Sequence, residues 1–128
     1  MNNKNAIRKL NEFRRWQHIA YSHNLAYNDD FILTLNNYSK PPYTRREQLS
    51  INRECALEEL NAIMDAINSI KDMRQRQILI LNYLVSVKLN NYDIYSLMGK
   101  SESWYYPKKK EALNSFIKYY RGGCLLDI

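Results

Sequence analysis

Leu57, Leu60, Ile63, Met64, Ile67 and Ile70 recur at steps of three and four residues, with polar residues between them. An α-helix turns once every ~3.6 residues, so these side chains share one stripe. A strand needs alternation at every second position. The middle of the chain is therefore committed to an amphipathic helix from about Ser50 to Ile70. Ser50 or Asn52 can cap it, and Glu54, Glu58 and Glu59 fall in early turns, where the helix dipole favours acids. The 128 residues include only three glycines and three prolines. So few turn formers argue against an all-β chain. The expected fold class is all-α, with about five or six helices.

The same reading extends to both sides. Ile7, Leu10, Phe13 and Ile19, with Trp16 or Tyr21 beside them, predict a helix over about Asn5 to Ser22. Arg8, Lys9, Arg14 and Arg15 make its other face, most simply a solvated one. Asp29 or Asp30 can cap a shorter helix through Asn36. Lys40-Pro41-Pro42-Tyr43-Thr44 stops any helix and reads as a linker. Residues 1–44 are thus expected to form an N-terminal helical portion, accessory or dimerising, and 45–128 a helical domain. Within the latter, a helix over Asp72 to Val87 is apolar nearly all round at Ile78-Leu79-Ile80-Leu81. Asn90-Asn91-Tyr92-Asp93 can cap a short helix, Tyr92 to Met98, that Gly99 ends. Ser101 can cap a final long helix to about Tyr120, closed by Gly122-Gly123. The short tail Cys124-Leu125-Leu126 is apolar.

Charge narrows the chemistry. The formal net charge is +6, and the isoelectric point is about 9.3. Between Lys100 and Arg121, Lys100, Lys108, Lys109, Lys110, Lys118 and Arg121 face only Glu102 and Glu111, whereas Glu54 to Asp65 is acidic. A basic balance suits a polyanionic partner, usually nucleic acid. Cys55 and Cys124 are far apart with no zinc-ligand spacing, and they fit a reducing, intracellular compartment. His18 and His23 do not share a helix face, so no metal site is expected. No Ser/His/Asp or Cys/His arrangement is placed for catalysis, so neither an enzyme nor a cofactor is expected. No apolar run reaches membrane-spanning length and the N-terminus is polar. A cytoplasmic protein with no membrane partner is expected.

Residues 92–120 carry the sharpest pattern: a short helix, a glycine, a capping serine and a helix aromatic on one side and basic on the other. A helix-turn-helix needs a small turn, an apolar seam and polar or basic residues outside, because its second helix enters the major groove. Ile94, Leu97 and Met98 can supply one side of the seam, and Tyr105, Ala112, Leu113 and Phe116 the other. Ser103, Trp104, Tyr106 and Lys110 then point outward. Lys100, Lys108, Lys109 and Lys110 would neutralise phosphates, Ser101 would cap and border the contact, and Ser103, Trp104 and Tyr106 would read base edges. The plainer reading is a helical hairpin with a solvated basic face. Pattern alone leaves both open.

Taken with Ile78 to Leu84, Asn91 to Tyr95, Gly99 to Tyr106, Lys109 to Leu113 and Tyr120 to Leu126, the chain resembles the ArpU family of phage late transcriptional regulators. The resemblance covers about residues 54 to 126. It is also similar to region 4 of sigma-70-type factors. It implies a sequence-specific regulator of double-stranded DNA in the bacterial host cell, activating phage or prophage late genes. Host RNA polymerase is an implied partner, with the acidic helix from Glu54 to Asp65 as a hypothetical contact, and a homodimer is compatible. The alternatives are a small-terminase-like packaging subunit and a polymerase-binding adaptor that never touches DNA. Pro107 departs from the family pattern. It cannot bond the carbonyl of Ser103, so a kink or a separate first turn is expected there.

Overall fold

The computed structural model describes residues 3–20, 22–38 and 47–126, without the side chains of 22–24, 35–38 and 47–53. The expected linker at 40–44 lies outside the described residues. In chain order the elements are α1 (Lys4–Asn11), α2 (Phe13–Ile19), β1 (Ser22–Tyr27), β2 (Leu33–Tyr38), α3 (Glu47–Ser69), α4 (Met73–Leu79), a π-helical turn (Ile80–Leu84), α5 (Asn91–Leu97), α6 (Glu102–Tyr119) and a 3-10 turn (Tyr120–Gly123). The chain is mainly α, with one two-stranded antiparallel sheet among the described residues.

Several elements differ from expectation. Helix α3 begins at Glu47, so Ser50 and Asn52 lie inside it and do not cap it, and Glu54, Glu58 and Glu59 fall beyond its first turn. The helix expected over Asp72 to Val87 is α only to Leu79 and continues as the π-helical turn, which ends at Leu84. The single N-terminal helix is divided at Glu12, whose N–H turns back to the Lys9 carbonyl at 3.1 Å. The Glu12 carboxylate takes hydrogen bonds from Lys9 Nζ (3.2 Å) and Trp16 Nε1 (3.0 Å). This tightened turn lets Leu10 and Phe13 both bury fully. The helix expected from Asp29 or Asp30 to Asn36 is instead the β1–β2 hairpin. Asn28 builds its turn, accepting through Oδ1 from the N–H groups of Asp30 and Ile32, both at 3.0 Å. The two aspartates are therefore turn residues and cap nothing. Phe31 is forced to φ +57° there and stacks on Tyr27 at 5.3 Å. Leu25 pairs with Leu35 and Tyr27 with Leu33.

The hairpin is tied down by polar side chains. Asn68 on α3 matches both backbone groups of Leu33, accepting at 2.7 Å and donating at 3.0 Å. Arg76 is buried, yet it donates to the Asp30 carbonyl (2.7 and 3.1 Å) and to the Ile70 carbonyl (2.5 Å). Hydrogen bonds of this kind are what make a buried guanidinium tolerable.

The buried apolar side chains of the described residues form two clusters. The main core joins Ala6, Leu10 and Phe13 to Leu60, Ile63 and Ile67 of α3, to Leu79, Ile80 and Leu84, and to Leu113, Phe116 and Ile117 of α6. Residues on both sides of position 44 thus share one core. The second cluster holds Ile78, Leu81, Ile94, Met98 and Tyr105. α6 belongs to both: its C-terminal half to the first, its N-terminal half to the second.

Candidate nucleic-acid interface

The α5–α6 unit is defined by its caps. Asn90 and Asp93 form a reciprocal capping box at the start of α5, satisfying two backbone donors that a helix start leaves unpaired. At its end, the N–H of Lys100 reaches the Tyr95 carbonyl at 2.9 Å and that of Gly99 reaches Ser96 at 3.0 Å. This is a Schellman closure, and it needs a left-handed residue, which Gly99 supplies at φ +68°. Ser101 caps α6, its hydroxyl accepting from the Trp104 N–H at 3.2 Å. Helix α6 then runs undivided through Pro107 to Tyr119, so the separate first turn expected before Pro107 is not formed. Pro107 is exposed. Having no N–H, it leaves the Ser103 carbonyl without its usual intrahelical donor.

The seam is smaller than expected. Ile94 and Met98 bury against Tyr105, together with Ile78 and Leu81. Leu97 is not part of it and stands 68% exposed. Tyr105 and the α4 side chains fill the space beneath Ile94 and Met98, and α5 ends at Leu97. Ala112, Leu113 and Phe116 also leave the seam, because they lie beyond the reach of so short a helix and pack in the main core.

The eight polar and aromatic residues expected to meet DNA separate into two groups. Ser101, Ser103, Tyr106 and Lys110 are exposed around the start and outer side of α6, with Lys100 half-buried beside them. Lys100 Nζ lies 5.1 Å from the centre of the Trp104 ring. Trp104 itself is half-buried and leans on the smaller cluster. Lys108 pairs with Asp72 at 2.7 Å and with Glu111 at 3.6 Å. The Asp72 carboxylate raises the affinity of the Lys108 amine for its proton, outweighing partial burial. Lys109 turns inward, its ammonium 3.0 Å from Asn91 Oδ1 and 3.5 Å from Asn82 Oδ1. Burial lowers its pKa.

Sequence reasoning missed Asn82 and Asn91, which meet at the Tyr105 hydroxyl: Asn82 Nδ2 donates to it at 2.7 Å and it donates to Asn91 Oδ1 at 2.8 Å. It also missed Arg14. That side chain is not a solvated cation: its Nε and Nη2 reach the Val85 carbonyl at 2.9 and 2.6 Å, fixing the segment that leads into α5. Lys9 is likewise occupied, by Glu12 and Glu59. A signal for Lys109 did exist. It stands four residues after Tyr105 and three before Ala112, on the stripe that buries.

Fold and site together define a mainly α chain that presents a capped helix, turn and helix with a polar, partly basic outer side. It is similar to the "Putative autolysin regulatory protein ArpU" of Streptococcus phage O1205, 31% identical over 127 residues, which is 96% of this chain and 89% of that protein. The chain belongs to the ArpU family. No family model matches it, and no solved structure does.

Proposed function

We propose that this chain is a transcriptional regulator that binds double-stranded DNA through the N-terminal half of α6 and activates phage or prophage late genes. One observation carries the reading. The start of α6 is anchored from beneath by the buried Tyr105, while Ser101, Ser103, Tyr106 and Lys110 stand exposed around it. An element entering a major groove needs such an arrangement: an apolar underside held by a partner helix and hydrogen-bonding groups outside. Lys100 and Lys110 supply phosphate contacts, and Ser103, Trp104 and Tyr106 face base edges. The regulatory name of the phage relative agrees with this role. Glu54, Glu58 and Asp65 are exposed on α3 and offer an acidic face to host RNA polymerase. Glu59 is already taken by Arg121 and Lys9.

The test is fluorescence anisotropy with a labelled duplex enriched by the wild-type chain from a random-sequence pool, titrated across salt. Sequence-dependent binding is expected. Replacing Lys100 and Lys110 with alanine should flatten the slope of log affinity against log salt by about 2. Replacing Ser103 and Tyr106 should erode preference for the enriched sequence. Failure to enrich any sequence overturns the reading. Light scattering separates a monomeric or dimeric regulator from the ring expected of a packaging subunit.

A further inference from the structure

Lys109 lies in a run of three lysines, but its surroundings differ from those of its neighbours. Its ammonium donates to Asn91 Oδ1 at 3.0 Å and approaches Asn82 Oδ1 at 3.5 Å. It also lies 5.8 Å from the centre of the Tyr83 ring. Asn82 Nδ2 donates to the Tyr105 hydroxyl, which donates to Asn91 Oδ1. The contacts close a ring: Asn82 to Tyr105, Tyr105 to Asn91, Lys109 to Asn91, and Lys109 back to Asn82.

Each part of the unit contributes a member. Asn82 sits in the π-helical turn, Asn91 is the first residue of α5, and Tyr105 and Lys109 lie one turn apart on α6. Asn82 Nδ2 also holds the Ile78 carbonyl at 3.1 Å, so the ring is anchored to α4. Tyr105 is fully buried. An ammonium has three N–H donors and no acceptor. Asn91 Oδ1 takes one, Asn82 Oδ1 lies at the limit of reach of a second, and the Tyr83 ring stands close by. Turning Lys109 toward a phosphate would strip Asn91 and Asn82 of a charge-assisted donor in a half-buried site.

We propose that Lys109 is a positioning residue: with Asn82, Asn91 and Tyr105 it sets the placement of α6 against α5 and the π-turn, and so the bases that α6 reads, without neutralising phosphate. This rests on the DNA-binding reading above. The two roles differ in what they leave in solution data. A lost phosphate contact lowers the salt slope by about 1 and weakens all sequences equally. A misplaced helix keeps the slope and loses discrimination between sequences.

The experiment measures affinity of the full chain for the enriched duplex and for a scrambled duplex across salt. Lys109→Met is compared with wild type and with Lys110→Ala as a phosphate-contact control. Lys109→Met should keep the wild-type slope and lower the enriched-to-scrambled ratio about tenfold, the size of one misread base pair. Lys110→Ala should lower the slope and keep the ratio. Partial unfolding scales both affinities together, so it cannot imitate a changed ratio. Tyr105→Phe, which keeps the ring and loses the hydroxyl, should move in the same direction as Lys109→Met and serves if the latter does not fold. A Lys109→Met result that copies Lys110→Ala overturns the proposal, as does an unchanged ratio in both clamp variants. If wild type itself prefers no duplex, the DNA-binding reading has failed and the positioning role falls with it. That outcome is visible without any variant.

Discussion

The two halves of α6 are stabilised by different means. Beyond Glu111, its buried side chains Ala112, Leu113, Phe116 and Ile117 enter the main core, where α1, α2, α3 and α6 pack together. Before Pro107, only Tyr105 is buried, in a cluster with Ile78, Leu81, Ile94 and Met98. What the smaller cluster lacks in apolar contact is supplied by caps and by the polar ring through Asn82, Tyr105, Asn91 and Lys109. Apolar burial is non-directional, whereas hydrogen bonds depend on direction. The large core therefore sets how stable the chain is, and the small one sets how the exposed start of α6 is aimed.

Phe116→Ala should have the largest effect. The side chain is fully buried in the main core and its ring stacks on Tyr120 at 5.4 Å. A loss of about 3–5 kcal/mol is expected from transfer and cavity terms. Urea denaturation should show it as one cooperative shift felt throughout the chain. Ile94→Ala comes next. Ile94 is fully buried, but in the smaller cluster. A loss of about 2–3 kcal/mol should be concentrated locally. Hydrogen exchange is expected to speed up in α5 and the first turns of α6 while the amides of α3 around Ile63 keep their protection. Uniform acceleration would show that the two clusters unfold as one unit and would dissolve the distinction.

Ser101→Ala tests the caps. Its hydroxyl accepts from the Trp104 N–H, and the Ser103 hydroxyl lies 3.2 Å away. Loss of a capping serine costs about 1 kcal/mol. Thermal melts should show it, and Ser101→Asp should recover most of the loss because aspartate caps equally well and favours the positive end of the helix dipole.

Legibility in the sequence follows the same physical division. Helices α4 to α6 were readable because apolar periodicity and capping chemistry are local. The periodicity of α3 was too, although its start at Glu47 precedes the caps offered by Ser50 and Asn52. Asp72, Gly99 and Ser101 sit where their side chains or backbone freedom require. The hairpin was not readable. Asp29 and Asp30 are as suitable for a helix start as for a turn, and the deciding contacts come from Asn68 and Arg76, far along the chain. The π-turn at Ile80–Leu84 was hidden because a run of apolar residues buries equally well at either helical pitch. In the candidate interface, the exposed side was legible from polarity. The inward turn of Lys109 was obscured by its basic neighbours, although its spacing from Tyr105 pointed to it.

The smallest expected effect bears on the joint between the two halves, where Lys108 meets Asp72 at 2.7 Å. Burial pulls the Asp72 carboxyl up, but Lys108 and the Arg74 N–H more than offset it and leave its pKa below the usual value. A carboxyl lowered on folding adds stability above its unfolded pKa of about 3.9, and that stability fades as pH falls through the folded value. Asp72 is 35% exposed and Lys108 25%, so solvent screening holds the contribution to about 0.5 kcal/mol. Asp72→Asn separates the charge from the cap, because asparagine accepts the Arg74 N–H as well as aspartate does. Wild type should exceed the variant at pH 7 in urea midpoints, and the two should converge as pH falls below the lowered folded pKa of Asp72. The Glu59 carboxyl is also lowered: Tyr120, Arg121 and Lys9 outweigh its burial. It loses stability in the same direction in both proteins, so it cancels from the difference. A constant gap down to acid pH would mean that the variant had damaged the cap, and that the ion pair adds nothing to the joint.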